Sequence, residues 1–264
     1  MVMKITGKDN KTLKYVKALK KKNNRTEERR FIAEGRKIAL EAFEFAKGRI
    51  WCAVMTEEFF EKENEIVSAA EAGCEKVLVV SKQVFDDISD TDTPQGILLV
   101  VEMEDAELEV SGDMRDIVVL DGVSEPGNMG TVIRTAEALG YDGIYLMKGC
   151  ADIYSPKTVR STMGSVFRMK FKNGCTGDDI SNLQKMGFSV VSTTPCGEEI
   201  LEKFDVPEKC AVVIGNEAHG VCDGLLEGSD VRVKITMDGL AESLNAAVAA
   251  GIAMHWIKNC RKRK

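Results

Sequence analysis

Five short apolar runs, at residues 117–120, 143–147, 188–192, 211–215 and 231–235, are spaced through the second half of the chain. Runs of this length, rich in Val and Ile and apolar at consecutive positions, suit strands buried on both faces. Parallel strands need crossover connections, and helical patterns at about 128–139, 155–161, 178–186 and 242–259 supply them. The pattern predicts an α/β fold built on a mostly parallel sheet with helices on both faces. The first half alternates in the same way on a smaller scale. Strands are expected at 29–33, 50–55, 77–80 and 96–102, and helices at 11–22, 35–47, 62–72 and 81–88. Asn23-Asn24 reads as a break after the first helix, and Thr56 as a helix cap. Residues 103–115 are acidic and poor in apolar periodicity, which marks a linker between a domain over 1–106 and one over 115–264.

The stretch 120–140, LDGVSEPGNMGTVIRTAEALG, joins a strand, a glycine-bearing turn and a helix N-terminus. Such a junction gathers free backbone N–H groups and partial positive charge at one spot. Arg134 follows about one turn into the helix, within reach of the turn. The dinucleotide fingerprint G-x-G-x-x-G is absent, because Gly127-Asn128-Met129-Gly130 has the wrong spacing. The next strand ends in Lys148 rather than a ribose-binding acid, and no G-x-x-x-x-G-K-[ST] run occurs. Neither adenine-nucleotide reading holds.

With 44% apolar and 30% charged residues, the chain belongs with globular proteins rather than disordered ones. The longest small-apolar run, 246–256, is too short for a bilayer and contains His255, so no membrane contact is expected. The opening MVMKITGKDN has no apolar core of a secretory signal, and a cytoplasmic location is expected. Eight cysteines without a C-x-x-C pair fit reduced, mostly buried thiols, and no metal is expected. The net charge of −6 is unevenly spread. Basic residues concentrate in 4–37, including Lys20-Lys21-Lys22 and Arg29-Arg30, and in the terminal run Arg261-Lys262-Arg263-Lys264. Local patches rather than net charge decide phosphate affinity, although a solvated helix face with a basic tail has the same composition.

Asn128, Gly130 and Arg134, then Gly215, Asn216 and Glu217, then Gly239, Ser243 and Asn245 stand in the second half in an order that resembles the SpoU (TrmH-type) RNA 2′-O-ribose methyltransferases. Asn128-x-Gly130-x-x-x-Arg134-x-Ala136 resembles the first family motif, and Gly215-Asn216-Glu217-x-x-Gly220 the second. Ile235-Thr236-Met237-x-Gly239-x-x-x-Ser243-Leu244-Asn245-x-x-Val248-Ala249 resembles the third. Thr236 stands where the family commonly has proline, and Ala218-His219 replaces a more usual small or charged pair. The first half looks like the family's RNA-binding domain, an α/β module similar to certain ribosomal proteins. Arg30-Phe31-Ile32-Ala33-Glu34-Gly35 and Thr93-Pro94-Gln95-Gly96 carry that match.

The resemblance implies a trefoil-knotted α/β methyltransferase domain, S-adenosylmethionine (AdoMet) as cofactor, a homodimer, and a structured RNA as substrate. Ribosomal RNA is expected over transfer RNA because an added N-terminal domain suits a large target. Cofactor contacts carry over to Gly215, Ile235, Met237 and Leu244, and the catalytic set to Asn128, Arg134, Glu217, Ser243 and Asn245. The family picture often gives Arg134 the role of base. A guanidinium holds its proton too tightly for that, so a grip on the neighbouring phosphate and the forming alkoxide is the preferred role. Asn128 is also a natural turn former and Glu217 a natural helix N-terminal acid. Ser243 opens the last helix, where it would serve as a cap in any protein. Lys21, Lys22, Arg29, Arg30, Arg160 and Arg168 are the candidate RNA contacts. His219 and His255 are left outside the site. Two other readings remain open: a catalytically weak RNA-binding or assembly factor of the same fold, and an enzyme acting on transfer RNA.

Overall fold

The computed structural model describes residues 2–7, 9–104 and 107–262; Arg263 and Lys264 of the basic run lie outside them. The chain divides into two compact units, Met1–Asp105 with Asp152–Arg168, and Ala106–Ala151 with Met169–Lys264.

The first unit runs β1 (Val2–Ile5), α1 (Lys11–Ala18), α2 (Lys22–Glu28), β2 (Arg30–Glu34), α3 (Arg36–Phe45), β3 (Ile50–Thr56), α4 (Glu57–Lys62), α5 (Asn64–Gly73), β4 (Lys76–Val80), α6 (Lys82–Ile88) and β5 (Ile97–Glu102). Its strands order as β1-β4-β3-β5-β2, with β5 antiparallel to both neighbours and the other pairs parallel. Leu13, Val16 and Leu19 of the first helical segment and Val84, Phe85 and Ile88 of α6 pack on Val54, Leu78, Leu98 and Val100. Each such side chain, fully buried, contributes roughly 1.5–3 kcal/mol. Asn10 caps α1 through its side chain, which accepts from Thr12 and Leu13, and Thr56 caps α4 through Phe59. Asn23-Asn24 does not end a helix but lies inside α2. That short helix owes its place to Arg25, which is 3% exposed and bonds the carbonyls of Leu19 and Lys20. Tertiary contact has overridden a weak local preference. The helix expected over 62–72 is α5, beginning at Asn64, and Lys62 instead ends the separate short helix that Thr56 caps.

The second unit begins with β6 (Asp116–Leu120), α7 (Pro126–Ala138) and β7 (Gly143–Met147). The chain then supplies α8 (Pro156–Thr162) to the first unit, although it lies in sequence within the second half. There Asp152 meets Arg25 at 2.6 Å and Tyr154 stacks on Phe31. The second unit continues with β8 (Phe171–Cys175), α9 (Gly177–Lys185), β9 (Ser189–Thr193), β10 (Glu199–Ile200), β11 (Cys210–Ile214), α10 (Asp223–Gly228), β12 (Val231–Lys234) and α11 (Ala246–Lys262). Its seven strands order as β10-β12-β9-β11-β6-β7-β8, and every pairing is parallel. The mixed α/β class with a mostly parallel sheet is as expected. The 103–115 stretch is not wholly a spacer: Leu108 is buried against Gly143 and bonds the Phe171 carbonyl.

The last helix starts later than its pattern predicts, at Ala246 rather than 242. Asn245 is the cap, its Oδ1 accepting from the N–H groups of Ala247 and Val248 at 2.9 and 3.3 Å, so Ser243 does not cap it. α11 is pinned at its far end. Tyr141 donates to the Met254 carbonyl, and Lys258 reaches both the Gly140 carbonyl and the buried Asp116. Among the described residues no helix is long and apolar enough to cross a membrane.

Candidate active site

Four adjacent parallel strands, β12, β9, β11 and β6, end on the same edge of the second sheet. The loops that leave such ends are where α/β sheets bind ligands. The first sequence motif leaves β6, the second leaves β11 and the third leaves β12. Strand adjacency therefore brings together segments about 90 to 120 residues apart in the chain.

The turn after β6 is set by Glu125, whose carboxylate accepts from the Asn128 N–H at 2.7 Å and caps α7, with Pro126 in the first helical turn. Asp121 and Gly122 tie this turn to the second motif. Asp121 accepts from the Cys222 N–H at 2.8 Å, and the Asn216 amide donates to the Gly122 carbonyl at 2.7 Å. The second motif is itself a closed turn, with Asn216 and Gly220 exchanging backbone bonds of 2.9 Å each way. Gly215 is required there: a Cβ would stand 2.2 Å from the backbone of Gly220 and Val221.

A three-residue network spans the motifs. The Asn128 amide donates to Glu217 Oε1 at 2.9 Å, and Asn245 Nδ2 donates to Asn128 Oδ1 at 3.0 Å. Glu217 Oε2 accepts from the Ser124 N–H at 3.4 Å. Burial raises the Glu217 pKa, but bonds from Asn128 and from the backbone of Glu217, Ser124 and Glu125 outweigh it and leave the carboxyl below its usual value. Glu217 is thus an ionised holder of Asn128. Arg134 is exposed on α7 and has no hydrogen-bond or ion-pair partner among the described residues, which leaves its guanidinium free to take an anion.

Beside the network opens a cavity of about 440 Å³. Gly215, Ile235, Met237 and Leu244 all line it, as do Glu217 and Ser243. Its wall combines apolar side chains such as Ile214, Val221 and Ala249 with the carboxylates of Glu217, Asp223 and Glu242. Apolar walls with a few acids suit a ligand that joins a flat neutral heterocycle to a positively charged group, as AdoMet joins adenine to a sulfonium. Several other lining residues lie outside the candidate set. Thr193 ends β9 and Thr194 and Pro195 follow it, and nothing in their sequence marks them; only the position of β9 between β12 and β11 places them here. His219, set aside on sequence, lines the wall as well.

A model of the SpoU rRNA Methylase family matches residues 116–255, more than half of the chain. The chain belongs to the SpoU rRNA methylase family. A second model, of the MRM3-like substrate binding domain, matches residues 10–99. Among curated relatives, the 23S rRNA (guanosine(2553)-2′-O)-methyltransferase RlmP of Bacillus subtilis is 32% identical over 254 residues, covering 96% of this chain and 98% of that one. The 23S rRNA (uridine(2479)-2′-O)-methyltransferase of Streptomyces viridochromogenes is 34% identical over 167 residues, 60% of this chain and 58% of that one. Among solved structures, an AdoMet-bound rRNA methyltransferase from Sinorhizobium meliloti superposes with a TM-score of 0.88 at 31% identity, covering 98% of both chains.

The candidate RNA contacts of the first unit separate into two groups. Arg30 pairs with Glu102 at 2.7 Å and lies over the Trp51 ring, Arg160 pairs with Asp90 at 3.0 Å, and Arg168 pairs with Glu41 and covers Phe45. These three arginines are engaged in holding the unit together. Arg29 ends α2 in a left-handed conformation and donates to the Glu104 carbonyl at 3.4 Å. Lys21 and Lys22 are exposed, and their side chains have no ion-pair partner among the described residues.

Proposed function

We propose that this chain transfers a methyl group from AdoMet to a ribose 2′-hydroxyl of ribosomal RNA. Membership in the family makes it an AdoMet-dependent RNA 2′-O-methyltransferase. The observation that carries the reading is the meeting of all three motifs at one edge of the sheet. There Asn128, Glu217 and Asn245 form one network beside a cavity lined by Gly215, Ile235, Met237 and Leu244. Ribosomal rather than transfer RNA is favoured by the full-length similarity to the Bacillus subtilis 23S rRNA enzyme.

AdoMet supplies, when bound, a methyl group already activated on a sulfonium, so the protein's work is to align the hydroxyl and stabilise the charge that develops on it. Gly215, Ile235, Met237 and Leu244 hold the cofactor. Glu217 fixes the Asn128 amide, and Asn245 fixes its carbonyl oxygen, which locks the start of α7. Arg134, one to two turns further along α7, grips the phosphate beside the target ribose and stabilises the forming alkoxide. Ser243, which lines the cavity wall, orients the ribose in this reading.

The rest of the reading concerns partners. The first unit acts as the RNA substrate-binding domain, with Lys21 and Lys22 among the exposed lysines that have no ion-pair partner among the described residues. The chain works as a homodimer: Val248 and Ile252, four residues apart on α11, are 50% and 38% exposed, and Leu240 is fully exposed. An apolar helix face of this kind is what a second copy would cover. The knotted threading of α11 belongs to the same reading, supported by its small residues Ala246, Ala247 and Ala250, which are buried. The site of action is the cytoplasm, where ribosomal RNA is the target.

The test is calorimetry with AdoMet followed by tritiated methyl transfer to ribosomal RNA. Saturable AdoMet binding and label recovered as 2′-O-methylnucleoside are expected. Binding of RNA without AdoMet binding or transfer would make the chain an RNA-binding factor instead.

A further inference from the structure

A second cavity, of about 530 Å³, opens in the first unit, and none of its lining residues belongs to the three methyl-transfer motifs. The lining runs from Arg36 to Gly96, wholly inside the segment matched by the substrate binding domain model. Its frame is built where β5 starts between its two neighbours. On one side the Thr56 N–H, at the end of β3, donates to the Gly96 carbonyl at 2.9 Å. Gly96 has a φ of +83°, and a Cβ there would stand 2.7 Å from Thr56 Oγ1. On the other side the Gly35 N–H, after β2, donates to the Ile97 carbonyl at 3.0 Å, and Arg36 follows as the first residue of α3. The buried rings of Phe59 and Phe85 back the cavity.

The charges on the wall cancel. Arg36 pairs with Glu63 at 3.0 Å, Lys62 with Glu58 at 2.8 Å and Lys82 with Asp86 at 3.7 Å, and Glu57 adds a fourth acid. Backbone phosphates need uncompensated cations, so this wall does not suit them. It suits a neutral part of RNA. Unpaired bases are recognised by planar side chains against their faces and by hydrogen bonds at their edges. Both are present at the start of α3. Arg36 is exposed, and Glu63 Oε2 holds its guanidinium through Nε. Gln95 Oε1 accepts from the Arg36 N–H at 2.8 Å, which fixes the amide and leaves its two N–H donors without a bond to any described residue. The second Glu63 oxygen likewise accepts from no described residue. A plane, a donor pair and an acceptor therefore meet at one point of the cavity wall.

We propose that this cavity takes one unpaired nucleobase of the RNA substrate, stacked on the Arg36 guanidinium and read at its edge by Gln95 and Glu63. The base is separate from the nucleotide that is methylated, and it gives the first unit a means of choosing among RNA sites that phosphate contacts alone do not provide. The inference rests on the reading of the first unit as the substrate-binding domain.

Two charge-conserving variants test it in the full chain: Arg36→Lys, which loses the plane, and Gln95→Met, which loses the amide. Each should weaken binding of ribosomal RNA from cells lacking the gene by roughly tenfold, with salt slope, thermal midpoint and AdoMet affinity unchanged. Dimethyl sulfate and carbodiimide probing of the bound RNA should show an unpaired base, apart from the methylated nucleotide, that wild type protects and both variants leave reactive. Wild-type affinity and protection in both variants would overturn the inference alone. So would wild-type binding by Arg36→Lys together with a salt slope lower by about one in Arg36→Ala, since Arg36 would then be a phosphate contact. No binding of that RNA by the wild type would overturn the reading of the first unit and this inference with it.

Discussion

Two polar networks in this chain use similar chemistry and differ in what they enclose. In the first unit Arg25 is 3% exposed, and its donors are committed to the carbonyls of Leu19 and Lys20 and to Asp152. In the second unit Asn128, Glu217 and Asn245 are bonded to one another beside a cavity, and Arg134 further along α7 has no partner among the described residues. The buried network is saturated and specifies structure; the open one is tied at its base and borders the cavity lined by Glu217 and Ser243. Burial and satisfaction, more than residue type, separate a structural ion pair from a working site.

That contrast can be broken by substitution. Arg25→Ala should have the largest effect, because it leaves Asp152 partly buried without its partner. A loss of about 3–5 kcal/mol in stability is expected for a buried pair broken on one side, read as a lower thermal midpoint. AdoMet affinity of the folded fraction should not change; a variant as stable as wild type would remove the structural role. Arg134→Ala should do the opposite, lowering transfer by roughly a hundredfold while leaving the thermal midpoint in place. Arg134→Lys should recover little of it, and near-normal turnover in that variant would rule out a bidentate grip.

Glu217→Gln should cost roughly tenfold in rate, since the amide can still accept from Asn128 but without charge assistance. The pH dependence has a defined sign. Hydrogen bonding holds the folded pKa of Glu217 below its ordinary 4.5, so its contribution is complete above that value and is lost as pH falls through the lowered one. Wild type and Glu217→Gln should therefore differ in stability near neutral pH and converge in acid, and a constant difference down to the lowest pH would contradict the assignment. The smallest effect belongs to Lys21→Ala with Lys22→Ala. If these lysines meet phosphates, the salt slope of RNA binding should fall by roughly two units, with AdoMet affinity untouched.

The sequence was informative in proportion to how local each feature is. Consecutive Val and Ile runs mark β6, β9 and β11 because both faces of those strands are buried. β8 was not legible, since FKNGC carries Asn173 and Gly174 in its exposed middle, and neither was β10, which is two residues long. The three motifs identified the cavity-lining residues Gly215, Ile235, Met237 and Leu244 without help from coordinates. Thr193–Pro195 could not be found that way, because its place in the site comes only from β9 lying between β12 and β11. Arg30, Arg160 and Arg168 carry ion pairs that the sequence does not show. A basic residue reads as a free cation in a sequence, while its acid lies 70 or more residues away in the chain.

The most direct measurement is a map of ribose methylation across ribosomal RNA from cells with the gene, without it, and with the gene restored. The account predicts that one 2′-O-methyl mark disappears with the gene, returns with the wild-type chain and does not return with Arg134→Ala. An unchanged map, or a lost mark that proves to sit on a base, would contradict it.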